Sequence, residues 1–344
     1  MKSSPNLRVG LTRSLFNADG SPAFDFGLDV LQGRSDIDWE VIPTDEVDLP
    51  TDLVGNYDAI IVELPGDVTK RSVSEADRLK LVARVGVGYD SVDVPALTDK
   101  GILLTNTPDG VRRTMATAAV TLVLTLSQYV TQRDRFSHEG RWNDRGKYVG
   151  VGLAGRVLGL VGLGNIGREV ARLIAPFEMK RIAYDPHISD EQARAVGVAR
   201  ASLDEVMRTA DFVVITAALT PETHHLIKAG QLALMKPSAF LVNIARGPIV
   251  DQAALTEALS DRRIAGAGLD VFEVEPLPAD DPLTGLDNVV LTAHSIGFTD
   301  HCFRECGVSA INSVIALAEG RLPQNIVNRA ALDHARWKGW EIKQ

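Results

Sequence analysis

Leu158-Gly159-Leu160-Val161-Gly162-Leu163-Gly164-Asn165-Ile166-Gly167, followed by Tyr184-Asp185-Pro186 at the end of the next apolar run, is the stretch that decides the fold. The apolar residues before Gly162 predict a buried strand, and residues 165–176 predict a helix with Ile166, Val170 and Ile174 facing inward. The glycines therefore fall at a strand-to-helix turn, the context a dinucleotide fingerprint requires. Gly162 permits the tight turn, Gly164 lets the backbone approach a pyrophosphate, and Gly167 lets the helix pack close to the strand. The helix N-terminus, beginning at Asn165 and Ile166, offers free N–H groups to the phosphates. Asp185 stands at the end of the second strand, where a carboxylate accepts from a ribose 2′-hydroxyl and repels a 2′-phosphate. Together these features imply NAD.

Working outward, 344 residues exceed what one core usually supports and suggest two domains. Hydrophobic residues make up 45% of the chain, as in ordinary globular proteins, and no apolar run reaches the length of a membrane span. The formal net charge of −9 argues against a nucleic-acid footprint. Arg112-Arg113 and the arginines of residues 133–145 read as solvated faces. The N-terminus leads directly into a strand-like run, without the apolar core of a secretory leader, so a cytoplasmic location is expected. Cys302 and Cys306, spaced i, i+4, lack the partners of a zinc site, and no metal is expected.

Short β-like runs at residues 8–12, 39–43, 59–64, 81–85 and 102–105 suggest a first α/β unit with a parallel sheet. Residues 114–130, rich in Ala, Leu and Val and free of Gly and Pro, predict one well-buried helix joining two domains. A second series follows at residues 157–163, 181–184, 212–216, 239–244, 266–271 and 289–292, the six strands of a dinucleotide-binding sheet. A helix at residues 304–319 and a tail at 322–328 then pack back on the first unit.

In open α/β sheets ligands bind beyond the carboxyl ends of the strands. Those ends supply the Gly162 turn, Asp185, Ala217, Arg246-Gly247, Asp270 and His294. An isolated Arg or His at such positions is more often structural than catalytic, but several polar residues at converging strand ends reverse that preference. Arg246 can fix an anionic substrate, His294 can move a proton, and Glu275 can orient the imidazole and hold its charge. Asp270 can bond the nicotinamide carboxamide or simply cap a loop.

The blocks 243–251, 268–277 and 288–297, with Arg84-Val85-Gly86-Val87-Gly88-Tyr89-Asp90 and Asn106-Thr107-Pro108, resemble the signatures of the D-isomer-specific 2-hydroxyacid dehydrogenases. The resemblance runs over nearly the whole chain. It implies two Rossmann-like or flavodoxin-like, doubly wound parallel-sheet domains with an active-site cleft between them. The substrate domain would comprise residues 1–106 and 297–344, and the NAD-binding Rossmann domain residues 107–296. It also implies a homodimer built on the NAD domain, through residues 114–130 and the Trp142 region. NADH would lie against Gly162, Gly164, Asn165, Ile166, Gly167, Asp185, Ala217, Ala245, Arg246, Asp270, His294 and Gly297. Val87 and Gly88 would hold the substrate carboxylate by their N–H groups, alongside Arg246, and the substrate would be a small 2-oxo or 2-hydroxy acid.

Three departures stand out. Thr117 replaces a glutamate usual after the Asn-Thr-Pro block, Ala293 replaces a proline before the histidine, and Ala217-Ala218 replaces another. The first exchanges a carboxylate for a hydroxyl close to Arg112-Arg113, which reads as structural or as a sign of a more anionic substrate; the other two alter loop shape and remove no chemical group. Formate dehydrogenases place Gln where Glu275 stands, which argues against that activity. Phosphite oxidation and 3-phosphoglycerate oxidation by a short form, with no regulatory domain after Asn328, stay open. So does the dinucleotide-sensing behaviour of related corepressors, which share the triad but carry long disordered flanks. Tyr89, Phe24 and Phe26 are candidates for contact with the substrate side chain.

Overall fold

The computed structural model describes residues 6–63 and 66–340. It divides into two compact units, Met1–Val111 with Phe298–Gln344, and Arg112–Gly297. The division falls inside one helix, Pro108–Ser127, near its N-terminal end.

In the first unit, strands β1 (Leu7–Leu11), β2 (Ile37–Val41), β3 (Ala59–Val62), β4 (Leu81–Arg84) and β5 (Leu103–Thr105) form a parallel sheet in the order β2-β1-β3-β4-β5. This is the doubly wound order with its switch point between β1 and β3. The third strand was expected to reach Leu64, which lies outside the described residues. Every residue of β3 and β4 is buried, which is why both read as continuous apolar runs. The last helix, Asp300–Ala318, begins at Thr299, whose hydroxyl accepts from the Cys302 amide. After it, Ile326 bridges Thr105 antiparallel, and Asn328 accepts from the Leu104 amide at 2.8 Å through its side chain.

In the second unit the parallel sheet has seven strands: β6 (Val157–Val161), β7 (Lys180–Tyr184), β8 (Ala199–Arg200), β9 (Phe212–Ile215), β10 (Phe240–Asn243), β11 (Gly266–Leu269) and β12 (Val289–Leu291). Their order is β12-β11-β10-β9-β6-β7-β8. Alternation builds a core on each face. Leu158, Leu160, Phe212, Val214, Phe240 and Val242 pack on one side with the helices Pro108–Ser127 and Asn165–Ile174. Val161, Val213, Ile215 and Leu241 pack on the other with Val206, Leu255 and Leu259. Each fully buried Leu, Val or Phe contributes about 1.5–3 kcal/mol.

Two expectations are corrected. The sheet gains β8, a two-residue exposed edge strand with no apolar pattern to announce it. The helix expected over residues 114–130 starts at Pro108 and stops at Ser127, because Pro is well placed in a first helical turn. Tyr129 takes a left-handed φ of 49°, and the next helix, Val130–His138, leaves at 59°. Among the described residues no single helix is long and apolar enough to cross a membrane.

Candidate active site

Register sets the site. Val161 is level with Tyr184 on one side and Ile215 on the other, Ile215 with Asn243, Asn243 with Leu269, and Leu269 with Leu291. The residues one step further, Gly162, Asp185, Thr216, Ile244, Asp270 and Thr292, therefore form a single row along the carboxyl edge.

The glycines divide their roles as their surroundings require. Gly162 has φ 98°, and a Cβ there would lie 2.7 Å from the Ala217 amide nitrogen. A Cβ on Gly167 would lie 2.5 Å from the Gly162 carbonyl oxygen, so the helix could not approach the turn with any side chain there. Gly164 differs, since a Cβ on it would meet nothing within 4 Å. Open space at that one glycine, directly before the free first-turn amides of Asn165 and Ile166, fits a pyrophosphate. Asp185 braces the same turn: its Oδ2 accepts from the Leu163 amide at 2.8 Å, and its Oδ1 from His187 at 2.9 Å.

Asp270 is 1% exposed, and its Oδ1 accepts from the Thr292 hydroxyl at 2.7 Å and from the amides of Ser295 and Ile296 at 3.0 and 3.1 Å. Its carbonyl accepts from the His294 amide at 2.8 Å. These bonds hold His294 at a left-handed φ of 49°, a conformation that costs a histidine of order 1 kcal/mol and persists only where the surroundings enforce it. The imidazole Nδ1 then lies 2.7 Å from Glu275 Oε2, while Glu275 Oε1 accepts from the Phe272 amide at 2.9 Å. The pair is about one-third exposed.

Burial is the largest influence on Glu275 and works to raise its pKa. The His294 hydrogen bond, the Phe272 N–H and the charges of His294 and Arg246 outweigh it and hold the carboxyl below the usual glutamate value. Arg246 is half-buried, its turn fixed by Asn243, whose Nδ2 donates to the Arg246 carbonyl at 2.9 Å and whose Oδ1 accepts from the Ala245 amide at 3.0 Å. Gly247 is pressed so closely on Phe272 that no side chain could stand there. Gly297 is buried, a Cβ on it falling 2.6 Å from Met115 Sδ.

On the first unit, Gly86 (φ 116°) donates to Thr107 Oγ1 at 2.8 Å, and Asn106 Nδ2 donates to the Val87 carbonyl at 3.0 Å. The Val87-Gly88 segment is thus fixed yet half-exposed. Phe26 is 1% exposed, in edge contact with Phe16 and Phe24, so it belongs to the core rather than to a substrate pocket. The cysteine sulfurs lie 3.9 Å apart on their helix, and no metal-holding group of His, Cys, Asp or Glu occurs among the described residues. Sequence reasoning missed Asn243, Thr216, Thr292 and Glu273. Thr216 and Thr292 end predicted strands and Asn243 stands one residue before the end of another, a signal that could have found them.

A family model for the D-isomer specific 2-hydroxyacid dehydrogenase NAD binding domain matches residues 120–295. A glyoxylate reductase of Pyrococcus horikoshii is 36% identical over 319 residues, 90% of this chain and 94% of that protein. A D-3-phosphoglycerate dehydrogenase of Methanocaldococcus jannaschii is 39% identical over 276 residues, 80% of this chain. The chain spans only 52% of that protein's length. Among solved structures, a glyoxylate reductase from Paecilomyes thermophila superposes with a TM-score of 0.81 at 26% identity, covering 94% of this chain and 99% of that one.

Proposed function

The chain belongs to the D-isomer specific 2-hydroxyacid dehydrogenase family, and on that premise we propose that it interconverts a small D-2-hydroxy acid and its 2-oxo acid with NAD(H). The observation that carries this reading is the Glu275–His294 contact at 2.7 Å, on the same sheet edge as a glycine turn shaped for a dinucleotide. When bound, the nicotinamide supplies or accepts the hydride.

The chain's own residues do the rest. Arg246 binds the substrate carboxylate and polarises the carbonyl oxygen. His294, as imidazolium, donates a proton to that oxygen during reduction, and in oxidation the neutral ring takes it back. Glu275, kept ionised, orients the ring through Nδ1 and stabilises its charged form. We assign Val87 and Gly88 to the carboxylate and Asp185 to the ribose. Asp270, whose three donors all converge on Oδ1, has Oδ2 for the carboxamide. We assign the cofactor to the NAD domain expected at residues 107–296, and infer a cytoplasmic homodimer in which the exposed Trp142 and Val149 are covered.

Glyoxylate is the first substrate to test, since a relative of that name matches along almost its whole length. The phosphoglycerate reading is second, supported by a relative that this chain only half spans. The test is NADH oxidation with a panel of 2-oxo acids, phosphorylated acids included. Turnover in the unmodified protein and its loss in His294→Gln with NADH still bound support the assignment.

A further inference from the structure

A second histidine–carboxylate contact lies beside the site, its carboxylate two residues from Glu275. His225 Nε2 is 2.7 Å from Glu273 Oε1, and the same oxygen accepts from the Gln252 amide at 3.1 Å. An ionised carboxylate only accepts, so Nε2 carries the hydrogen. Gln252 closes the ring, its Oε1 accepting from the Glu273 amide at 3.0 Å and its Nε2 donating to Asp281 Oδ2 at 2.9 Å. Glu273 is two residues from Glu275, and between its neighbour Phe272 and Glu275 runs the bond that fixes the Glu275 carboxylate.

His225 also reaches the other catalytic turn. Its amide donates to the Pro248 carbonyl at 2.8 Å, and Ile227 donates to Ile249, so the His225 segment is pinned to the residues directly after Arg246. His225 holds a left-handed φ of 49°, as His294 does. One residue thus joins the Arg246 turn through its backbone and the Glu275 loop through its side chain. The two loops are already in contact where Gly247 meets Phe272. A contact through a glycine resists compression but not separation, and the His225–Glu273 link supplies the missing restraint.

We propose that His225 is a positioning residue: with Glu273 and Gln252 it latches residues 272–275 to the Arg246 turn, so that Glu275 meets His294 and Arg246 in one geometry. The proposal rests on the roles assigned above to Arg246, Glu275 and His294. Misplacing a catalytic group by about 1 Å costs up to about 100-fold in rate. His225→Leu should therefore lower kcat by about 10- to 100-fold. The NADH dissociation constant, read from nicotinamide fluorescence, should stay within about twofold, because the glycine turn and Asp185 are untouched. His225→Gln, whose amide nitrogen reaches the position of Nε2, should restore kcat.

Amide hydrogen exchange of the NADH complex is the second readout, with exchange over residues 271–276 rising in His225→Leu and returning in His225→Gln. Unchanged exchange in His225→Leu overturns the latch even if the wild type reduces no 2-oxo acid, an outcome that would separately defeat the catalytic assignment. An unchanged kcat in an active enzyme overturns it too, as does a Gln variant no better than Leu. If His225→Leu does not fold, Glu273→Ala cuts the same link at a residue one-third exposed and is read in the same way.

Discussion

Glu275→Gln removes the charge of the acid–base pair while keeping one oxygen for the imidazole Nδ1; the amide nitrogen that replaces the other oxygen leaves the Phe272 N–H without its acceptor. In the native protein the heavy atoms are 2.7 Å apart, which places the charge centres about 4 Å apart. At an effective dielectric constant near 20 that is about 4 kcal/mol of attraction before desolvation and screening. With the side chains 34% and 35% exposed, a net of about 1–2 kcal/mol is the reasonable expectation. At 1.36 kcal/mol per factor of ten this corresponds to about tenfold in rate. Reduction needs the imidazolium, and the carboxylate favours it. kcat/KM for NADH-dependent reduction should therefore fall by about tenfold or more in Glu275→Gln. The assay is the initial rate at 340 nm from pH 5 to 10 with saturating cofactor. An unchanged kcat/KM for reduction would refute the reasoning.

Asp185→Ala should bring NADH and NADPH rates toward parity and also weaken both cofactors, since the Leu163 amide loses its partner; unmutated enzyme already indifferent between the two would contradict the ribose assignment. Gly167→Ala forces a Cβ to 2.5 Å from the Gly162 carbonyl oxygen and should cost about 1–3 kcal/mol in urea unfolding together with NADH affinity, so neutral behaviour would reject the close-packing argument. Asp270→Ala strands three donors at a buried site and should cost about 3 kcal/mol or more, with loss of turnover as His294 relaxes; a stable, active variant would refute the latch on that loop. Glu275 has a depressed pKa in the folded state, so its stabilising contribution is full above its ordinary value near 4.5 and is lost as pH falls through the lower folded value. Stability curves of wild type and Glu275→Gln should accordingly converge on acidification, and parallel curves would count against the pairing.

How much was legible in the sequence follows from how local each feature is. Buried parallel strands announce themselves as β-branched and apolar runs, and the glycine spacing carried its three roles because each answers to a steric demand of one turn. Asp185 was legible as a cofactor residue but not as a brace for Leu163, a contact between neighbouring strands. The pairing of Glu275 with His294 could be reasoned only from strand ends, since nothing in the spacing of the two residues reveals a register. The left-handed backbone of His294 and the His225–Glu273 link were invisible, because both arise from loops that meet only after the sheet has formed. The start of the helix at Pro108 was not legible, because the Ala-, Leu- and Val-rich stretch that announces the helix begins at residue 114, and Phe26 read as a candidate substrate contact because the sequence does not distinguish an aromatic that faces a pocket from one that faces the core.

The most direct measurement is the spectrophotometric titration of wild type and His294→Gln with NADH and a 2-oxo acid panel beginning with glyoxylate. The account predicts NADH oxidation by the wild type with at least one 2-oxo acid, and a variant that still binds NADH with nearly intact affinity yet turns over at least about 100-fold more slowly. A wild type that binds NADH and oxidises it with no 2-oxo acid, or a His294→Gln variant as active as the parent, would contradict it.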